Sequence, residues 1–301
     1  MRRNMEDISV IIPTYNHAAY VVSCLESVSA QTVRPFEIIV VNDGSPDNTK
    51  EVLAPYAKDG TIRYIHQENR GQAFARNTGL KHSRGKYIAF LDDDDLWPVD
   101  ALATHVRALD TDEQCVLSYG PAQYFTDLPD LHSPPPLFRY PSGWCLDNFL
   151  MQNWISSPGQ TLIRRSALTA AGGLDSAIWG CDDYDLYIRL ARLGTFNFNR
   201  NWSLFYRQHT GNASHRIGSL YRNAARVRRK HLGVIPTPSQ FGIWYHNFFN
   251  TRCTYSDRFH RAAVESYKNG ARRRALALFL RSVLLNPKKA FNGASFNGPA
   301  R

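Results

Sequence analysis

The chain has 301 residues, 43% of them hydrophobic, enough for one large or two modest cores and too apolar for a disordered protein. Its formal net charge of +10 is unevenly spread: residues 1–214 carry 19 Lys and Arg against 24 Asp and Glu, whereas residues 215–301 carry 17 against 2. No apolar run of about 18 residues marks a membrane span, Pro13 cuts short any leader-like run, and the five cysteines (Cys24, Cys115, Cys145, Cys181, Cys253) lack C-x-x-C spacing, which argues against a zinc site or a disulfide scaffold.

Residues 8–12, ISVII, read as a first strand that a proline turn ends. Val21, Cys24, Leu25 and Val28 then recur at helical spacing, and FEIIVVN follows as a nearly all-apolar second strand, the pattern of a strand covered on both faces. NTKEVLAPYAK (helix), IRYIHQ (strand), GQAFARNTGLKHS (helix) and KYIAFLDDDD (strand) continue the alternation. Such alternation predicts an α/β fold with a largely parallel sheet and right-handed crossovers. FTDLPDLHSPPPLFRYPSG reads as an extended loop, LIRRSALTAAGGLD as a short strand, a helix and a Gly-rich turn, and DDYDLYIRLARLG as an amphipathic helix opened by acids. From residue 215 onward the chain reads as helices. There Leu276, Phe279, Leu280, Val283 and Leu284 make one apolar stripe, with Arg272, Arg273, Arg274, Arg281, Lys288 and Lys289 around it.

Open parallel sheets receive ligands beyond the carboxyl ends of their strands, which is where PTYN, NDGS and DDDD fall. Asp43 leaves its strand at such a place and Gly44 permits close backbone approach, although an Asp-Gly turn has the same appearance. Four adjacent carboxylates, Asp92 to Asp95, ask for a partner, since two unit charges 4 Å apart repel by roughly 4 kcal/mol at an effective dielectric of 20. On an extended backbone Asp92 and Asp94 share one face and Asp93 and Asp95 the other, and a D-x-D pair on one face suits Mg²⁺ or Mn²⁺. Asp182, Asp183 and Asp185 follow Trp179; they serve equally as favourable acids at a helix start or as a general base beside an aromatic that carries a sugar face. His209 stands alone in YRQHTGNAS, where a histidine is more often structural or exposed than a ligand.

In order and approximate spacing, VIIPTYN, VVNDGSPDNT, NRGQAFARNTGLKHSRGKYIAFLDDDD, GGLD, DDYDLYIRL and YRQHTGNAS resemble the family 2 inverting glycosyltransferases of the GT-A fold, over roughly residues 7–214. The resemblance implies a GT-A-type, Rossmann-like, largely parallel sheet flanked by helices. It places a catalytic domain at residues 1–214, with a nucleotide-sugar-binding half at 1–100 and an acceptor-binding half at 101–214, followed by a basic helical C-terminal extension at 215–301. The implied activity is metal-dependent transfer of a sugar from a nucleoside diphosphate sugar, a UDP-sugar by preference, to an acceptor hydroxyl, in bacterial cell-surface polysaccharide or glycoconjugate synthesis.

By that resemblance Pro13, Thr14, Tyr15, Asn16, Asp43 and Gly44 would hold the nucleotide, with Arg76 and Asn77 nearby and Asp92 and Asp93 toward the ribose. Asp94, with Asp92, would bind Mn²⁺ or Mg²⁺, with His209 at or beside the ion and Asp95 an alternative to Asp94. Asp183 would be the catalytic base; Asp182 stands where the family has Glu, one methylene shorter, which leaves open which acid reaches the acceptor. Trp154 and Trp179 would face a saccharide or lipid-linked acceptor. A non-catalytic nucleotide-sugar binder and a nucleotidyltransferase are the competing readings, the latter opposed by the absence of glycine from PTYNHAAY. The basic helices suit an anionic membrane, so that the expected location is cytoplasmic with peripheral contact on the inner face of the cell membrane; no nucleic-acid-reading module is recognisable.

Overall fold

The computed structural model describes residues 8–135, 138, 140–235 and 237–287. Lys288 and Lys289, and part of the proline-rich loop (Pro136, Leu137, Arg139), lie outside the described residues. The first half alternates β1 (Ile8–Thr14), α1 (Val21–Ser29), β2 (Glu37–Asn42), α2 (Thr49–Lys58), β3 (Arg63–His66), α3 (Gln72–His82), β4 (Tyr87–Phe90) and α4 (Ala101–Thr111). Next come β5 (Cys115–Tyr119), β6 (Ala122–Phe125), α5 (Leu146–Met151), β7 (Thr161–Arg164), α6 (Arg165–Ala170), α7 (Asp182–Ala191), β8 (Thr195–Phe198) and β9 (Leu204–Arg207). Three helices close the described chain: α8 (Ile217–Leu232), α9 (Phe241–Lys268) and α10 (Arg272–Leu285).

The main sheet has the order β3-β2-β1-β4-β7-β5-β8, parallel throughout except for β7, which runs against both β4 and β5. β1, β4 and β5 are buried along their whole length, as strands covered on both faces must be. α1 turns Val21, Cys24, Leu25 and Val28 onto the sheet, the same four that the spacing predicts. β6 and β9 form a separate parallel pair. β5, β6, β8 and β9 are the strands the sequence reading lacks: they are four or five residues long and their partners are remote, Ser118 opposite Leu162 and Ala122 opposite Leu204.

The chain divides into two compact units, one of residues up to Phe149 with Asn153–Asn212, the other of Leu150–Gln152 with the chain from Ala213 onward. The first holds the sheet. In the second, α9 and α10 form a hairpin turned at Gly270, where φ is +76°. The Ser256 hydroxyl donates to the carbonyl of Ser282 (2.8 Å), and Arg252 donates to the carbonyls of Leu284 and Leu285 that end α10. Here the expected single apolar stripe divides: small Ala275 and Ser282 are buried, whereas Leu276, Leu280 and Leu284 face outward. The cause is close approach, because small residues let two helices meet and leave the leucines to one side. No helix among the described residues is long and apolar enough to cross a membrane.

α3 packs across β1 and β2 through Ala75 and Gly79, and a Cβ at Gly79 would run into the side chain of buried Ile11. Gly79→Val should therefore lower unfolding stability by about 1–3 kcal/mol in a urea titration, the usual cost of overpacking.

Candidate active site at the strand ends

The carboxyl ends of β1, β2 and β4 open on one side of the sheet. Pro13 and Thr14 finish β1 in the buried interior, Tyr15 is 46% exposed, and Asn16 takes a left-handed φ of +60° that turns the chain outward. The Asn16 amide donates to the Ser45 hydroxyl (3.1 Å) and the Asp43 amide to the Thr14 carbonyl (2.9 Å), so the two loops are tied together. Asp43 is buried and accepts from the Gln67 side chain (2.7 Å), the Arg70 amide (3.0 Å) and the Gly71 amide (2.8 Å). Its carboxylate thus anchors the loop that opens α3. Gly44, at φ +74°, leaves room for that loop, since a Cβ would come within 2.9 Å of the Asn69 amide nitrogen.

β4 stops at Phe90, and the four aspartates form a turn, closed by the Asp95 amide donating to the Asp92 carbonyl (3.1 Å). The alternation expected of an extended strand is therefore absent, because a turn rotates successive side chains instead of opposing them. Asp92 and Asp95 both reach toward the Ser157 hydroxyl, at 3.4 and 3.5 Å. Asp95 is buried and also accepts from the Arg207 amide (2.9 Å), which fixes it as an interior group and separates it from Asp94. Asp93 pairs with His17 Nδ1 and Asp94 with His209 Nε2, each at 2.8 Å. Each acid of the run has its own partner.

His17, Asp94 and His209 offer three ligand atoms within 4.8 Å of one another, a set that could hold a metal ion. Asp92, expected in that set, is turned instead onto Arg76, with Arg76 Nη2 to Asp92 Oδ1 at 2.5 Å. His17 takes its place, and sequence spacing offered only a histidine four residues beyond the proline of β1. Its Nδ1 engages Asp93, leaving Nε2 for an ion, and histidine ligands are commonly oriented by a carboxylate in this way. The hydrogen bond to Asp93 raises the His17 pKa to about 9, against burial that lowers it. Burial, reinforced by Asp93 and Asp92, raises Asp94 to about 6. The other Asp93 oxygen is buried without a hydrogen-bond partner among the described residues. Gly211 donates its amide to His209 Nδ1 (3.2 Å), which puts the ring proton on Nε2 facing Asp94; ligation through Nε2 would displace it. Two imidazoles and a carboxylate fit Mn²⁺ better than Mg²⁺, which prefers oxygen.

Arg76, 1% exposed, spans the site: Nη2 reaches Asp92 and Nη1 reaches Asp182 Oδ2 at 3.1 Å. Burial opposes its charge, but Asp92 and Asp182 outweigh that and raise its pKa. Asp182 and Asp183 open α7, where acids are favoured by the free amides. Burial raises the Asp182 pKa while Arg76 opposes the shift. Asp183 rises to about 7, through burial first and then the neighbouring Asp182 charge, with Arg76 again opposing. Below it lies the buried Tyr187, whose hydroxyl has no hydrogen-bond partner among the described residues and whose pKa burial raises well above the ordinary value.

Asn77 donates to the Leu174 carbonyl (2.8 Å) and accepts from the Leu174 amide (2.9 Å), so it pins the Gly-rich turn before α7. Trp179, half-buried, lies three residues before Asp182. Trp154, also half-buried, donates its indole N–H to the Asn148 carbonyl (3.0 Å) and meets Tyr140 edge to face. Ser157 and Arg207, which position the acid turn, had no signal in the sequence, because both act only through residues far along the chain.

Comparison with known proteins follows the same residues. The sequence model of the family described as Glycosyl transferase family 2 matches residues 9–171, more than half of the chain. An uncharacterized glycosyltransferase of Rickettsia felis is 45% identical over 103 residues, 34% of this chain and 17% of the relative. The uncharacterized glycosyltransferase EpsJ of Bacillus subtilis is 49% identical over 89 residues, 29% of this chain and 26% of that protein. The chain thus spans about a quarter or less of these relatives' lengths. Among solved structures, S. aureus TarS 1-349 in complex with UDP-GlcNAc superposes with a TM-score of 0.62 at 15% identity, covering 97% of this chain and 93% of that one. The mannosyltransferase PcManGT from Pyrobaculum calidifontis, in complex with GDP-Man and Mn²⁺, gives 0.60 at 18% identity, covering 96% and 81%. At such identities the likeness concerns the fold, which is of the GT-A type.

Arg76→Met would leave Asp92 and Asp182 without their shared cation. It should cost about 3–5 kcal/mol of stability at pH 8, the range for breaking a buried ion pair, and less at lower pH, where Asp182, whose pKa burial raises and Arg76 no longer opposes, takes up a proton. Chemical denaturation at the two pH values reads the difference.

Proposed function

The chain belongs to glycosyl transferase family 2, and from that premise we propose that it transfers a sugar from a nucleoside diphosphate sugar to an acceptor hydroxyl with inversion. The observation that carries this reading is Asp183, a carboxyl at the head of α7 with its pKa near 7, beside an acid turn that also offers a metal cluster. A protein that only bound a nucleotide sugar would have no use for an acid tuned to accept a proton at neutral pH.

In this reading the ends of β1 and β2, from Pro13 to Asn16 with Asp43 and Gly44, take the nucleotide, and Asp92 faces the ribose. Asp94, His17 and His209 would hold a divalent cation, Mn²⁺ by donor type. When bound, such an ion supplies positive charge against the diphosphate leaving group. Arg76 holds Asp92 and Asp182 in place. Asp183 accepts the acceptor's hydroxyl proton as that oxygen forms its bond to the anomeric carbon, while the bond from that carbon to the diphosphate oxygen breaks on the opposite face. Trp179 offers a ring to the acceptor, a saccharide or a lipid-linked sugar, with Trp154 earlier in the same half of the chain. The donor is a UDP-sugar in our reading, after the TarS complex with UDP-GlcNAc; the PcManGT complex with GDP-Man names the competing choice. We place the reaction in the cytoplasm, in the building of cell-surface polysaccharide or glycoconjugate.

Asp183→Asn should lower kcat by about 10²- to 10⁴-fold with little change in donor affinity, and turnover at the wild-type rate would defeat the base assignment. Because the pKa of this acid is raised, the basic form is lost as pH falls through it: kcat should climb with pH, reach half its maximum near pH 7 and level off above. Chelation by EDTA should abolish activity and Mn²⁺ restore it; full activity in EDTA would remove the metal role of Asp94. A thermal-shift screen of UDP- and GDP-sugars with Mn²⁺ identifies the donor, since a ligand of the folded state raises the unfolding midpoint.

A further inference from the structure

We propose that the α9–α10 hairpin of the helical unit docks on a bilayer containing anionic lipid, with the outer leucine ridge of α10 at the acyl boundary and its arginines at the headgroups. The ridge is Leu276, Leu280 and Leu284, spaced by four residues along one face and 60%, 52% and 73% exposed. Leucines that α10 does not need for its contact with α9 are thus presented in a row. The same helix carries Arg272, Arg273, Arg274 and Arg281 and no acid. Beside the ridge an apolar hollow of about 260 Å³ opens between the helices, lined by His260, Ala263, Val264, Arg272, Leu276 and Phe279. The apolar surface therefore continues inward from Leu276.

Charge selects the occupant. Residues 215–301 hold 17 Lys and Arg against 2 Asp and Glu, so a second copy on this face would set like charge against like. An anionic bilayer supplies both features the face lacks: negative charge at high density and an apolar layer just beneath it. A helix with an apolar ridge and a basic flank lies in that interface without crossing it. The proposal goes beyond the transfer reaction and uses none of its residues.

The test is co-sedimentation of the full chain with vesicles of phosphatidylcholine alone and of phosphatidylcholine with phosphatidylglycerol in a two-to-one mix. Binding should be at least roughly tenfold tighter to the second, and should weaken as salt is raised. Leu280→Glu/Leu284→Glu should lose most of the binding with the unfolding midpoint unchanged, because both side chains are exposed. Arg273→Ser/Arg274→Ser, which keeps all three leucines of the ridge, should weaken binding to the phosphatidylglycerol vesicles alone. Equal binding to both vesicles, none at low salt, or wild-type binding by both variants would overturn the proposal. So would a lipid-free dimer that the leucine variant converts to monomer, which would make a second copy the occupant. No donor or acceptor is present, so failure here leaves the transfer reading intact, and inactivity of the enzyme leaves this one intact.

Discussion

A single buried guanidinium holds the site together. Arg76 is taken out of water by α3, at a cost of several kcal/mol for an isolated ion, and that cost is offset only because Asp92 and Asp182 meet it from two sides. The two acids come from opposite halves of the α/β unit, one from the turn after β4 and one from the head of α7. Their common cation sets the distance between those elements. It also divides the two acids of α7, since Asp182 takes the cation directly and Asp183, next along the helix, is left to burial and to its neighbour's negative charge.

The acid turn solves its own repulsion by dispersal. Asp92 goes to Arg76, Asp93 to His17, Asp94 to His209, and Asp95 to the backbone of Arg207. An extended strand would have stacked two carboxylates on each face, whereas the turn gives each its own main partner, with Asp92 and Asp95 converging only on the Ser157 hydroxyl. The arrangement leaves Asp94 with two imidazoles in reach and leaves Asp95 interior. Asp43 shows the same economy at β2: it appears as a candidate nucleotide contact, and its three hydrogen bonds to the 67–71 loop make it the anchor from which α3, and hence Arg76, is positioned.

The helical unit follows a different logic. Its charge is nearly all of one sign, and α10 turns small Ala275 and Ser282 inward while Tyr255 and Phe259 of α9 are buried, so that Leu276, Leu280 and Leu284 remain outside. Burial of the whole stripe would have hidden the leucines. Ala275 and Ser282 took the inner positions because two helices approach most closely over small side chains.

The sequence alone determined the alternation of strands and helices as far as β4, the face of α1 that packs on the sheet, and the positions of the polar clusters at strand ends. These depend on local periodicity and on the general rule for open parallel sheets, and both are written in consecutive residues. It also marked Asp183, Asp94 and His209 as residues of interest through their ordered motifs. Only the tertiary structure decided that the four aspartates turn, that His17 joins Asp94 while Asp92 leaves for Arg76, that Asn77 bonds to Leu174, and that β5, β7 and β8 extend the sheet. Each of these is a pairing across a long stretch of chain, fixed by which charges and donors meet once the sheet has formed, and no spacing along the chain records such a meeting.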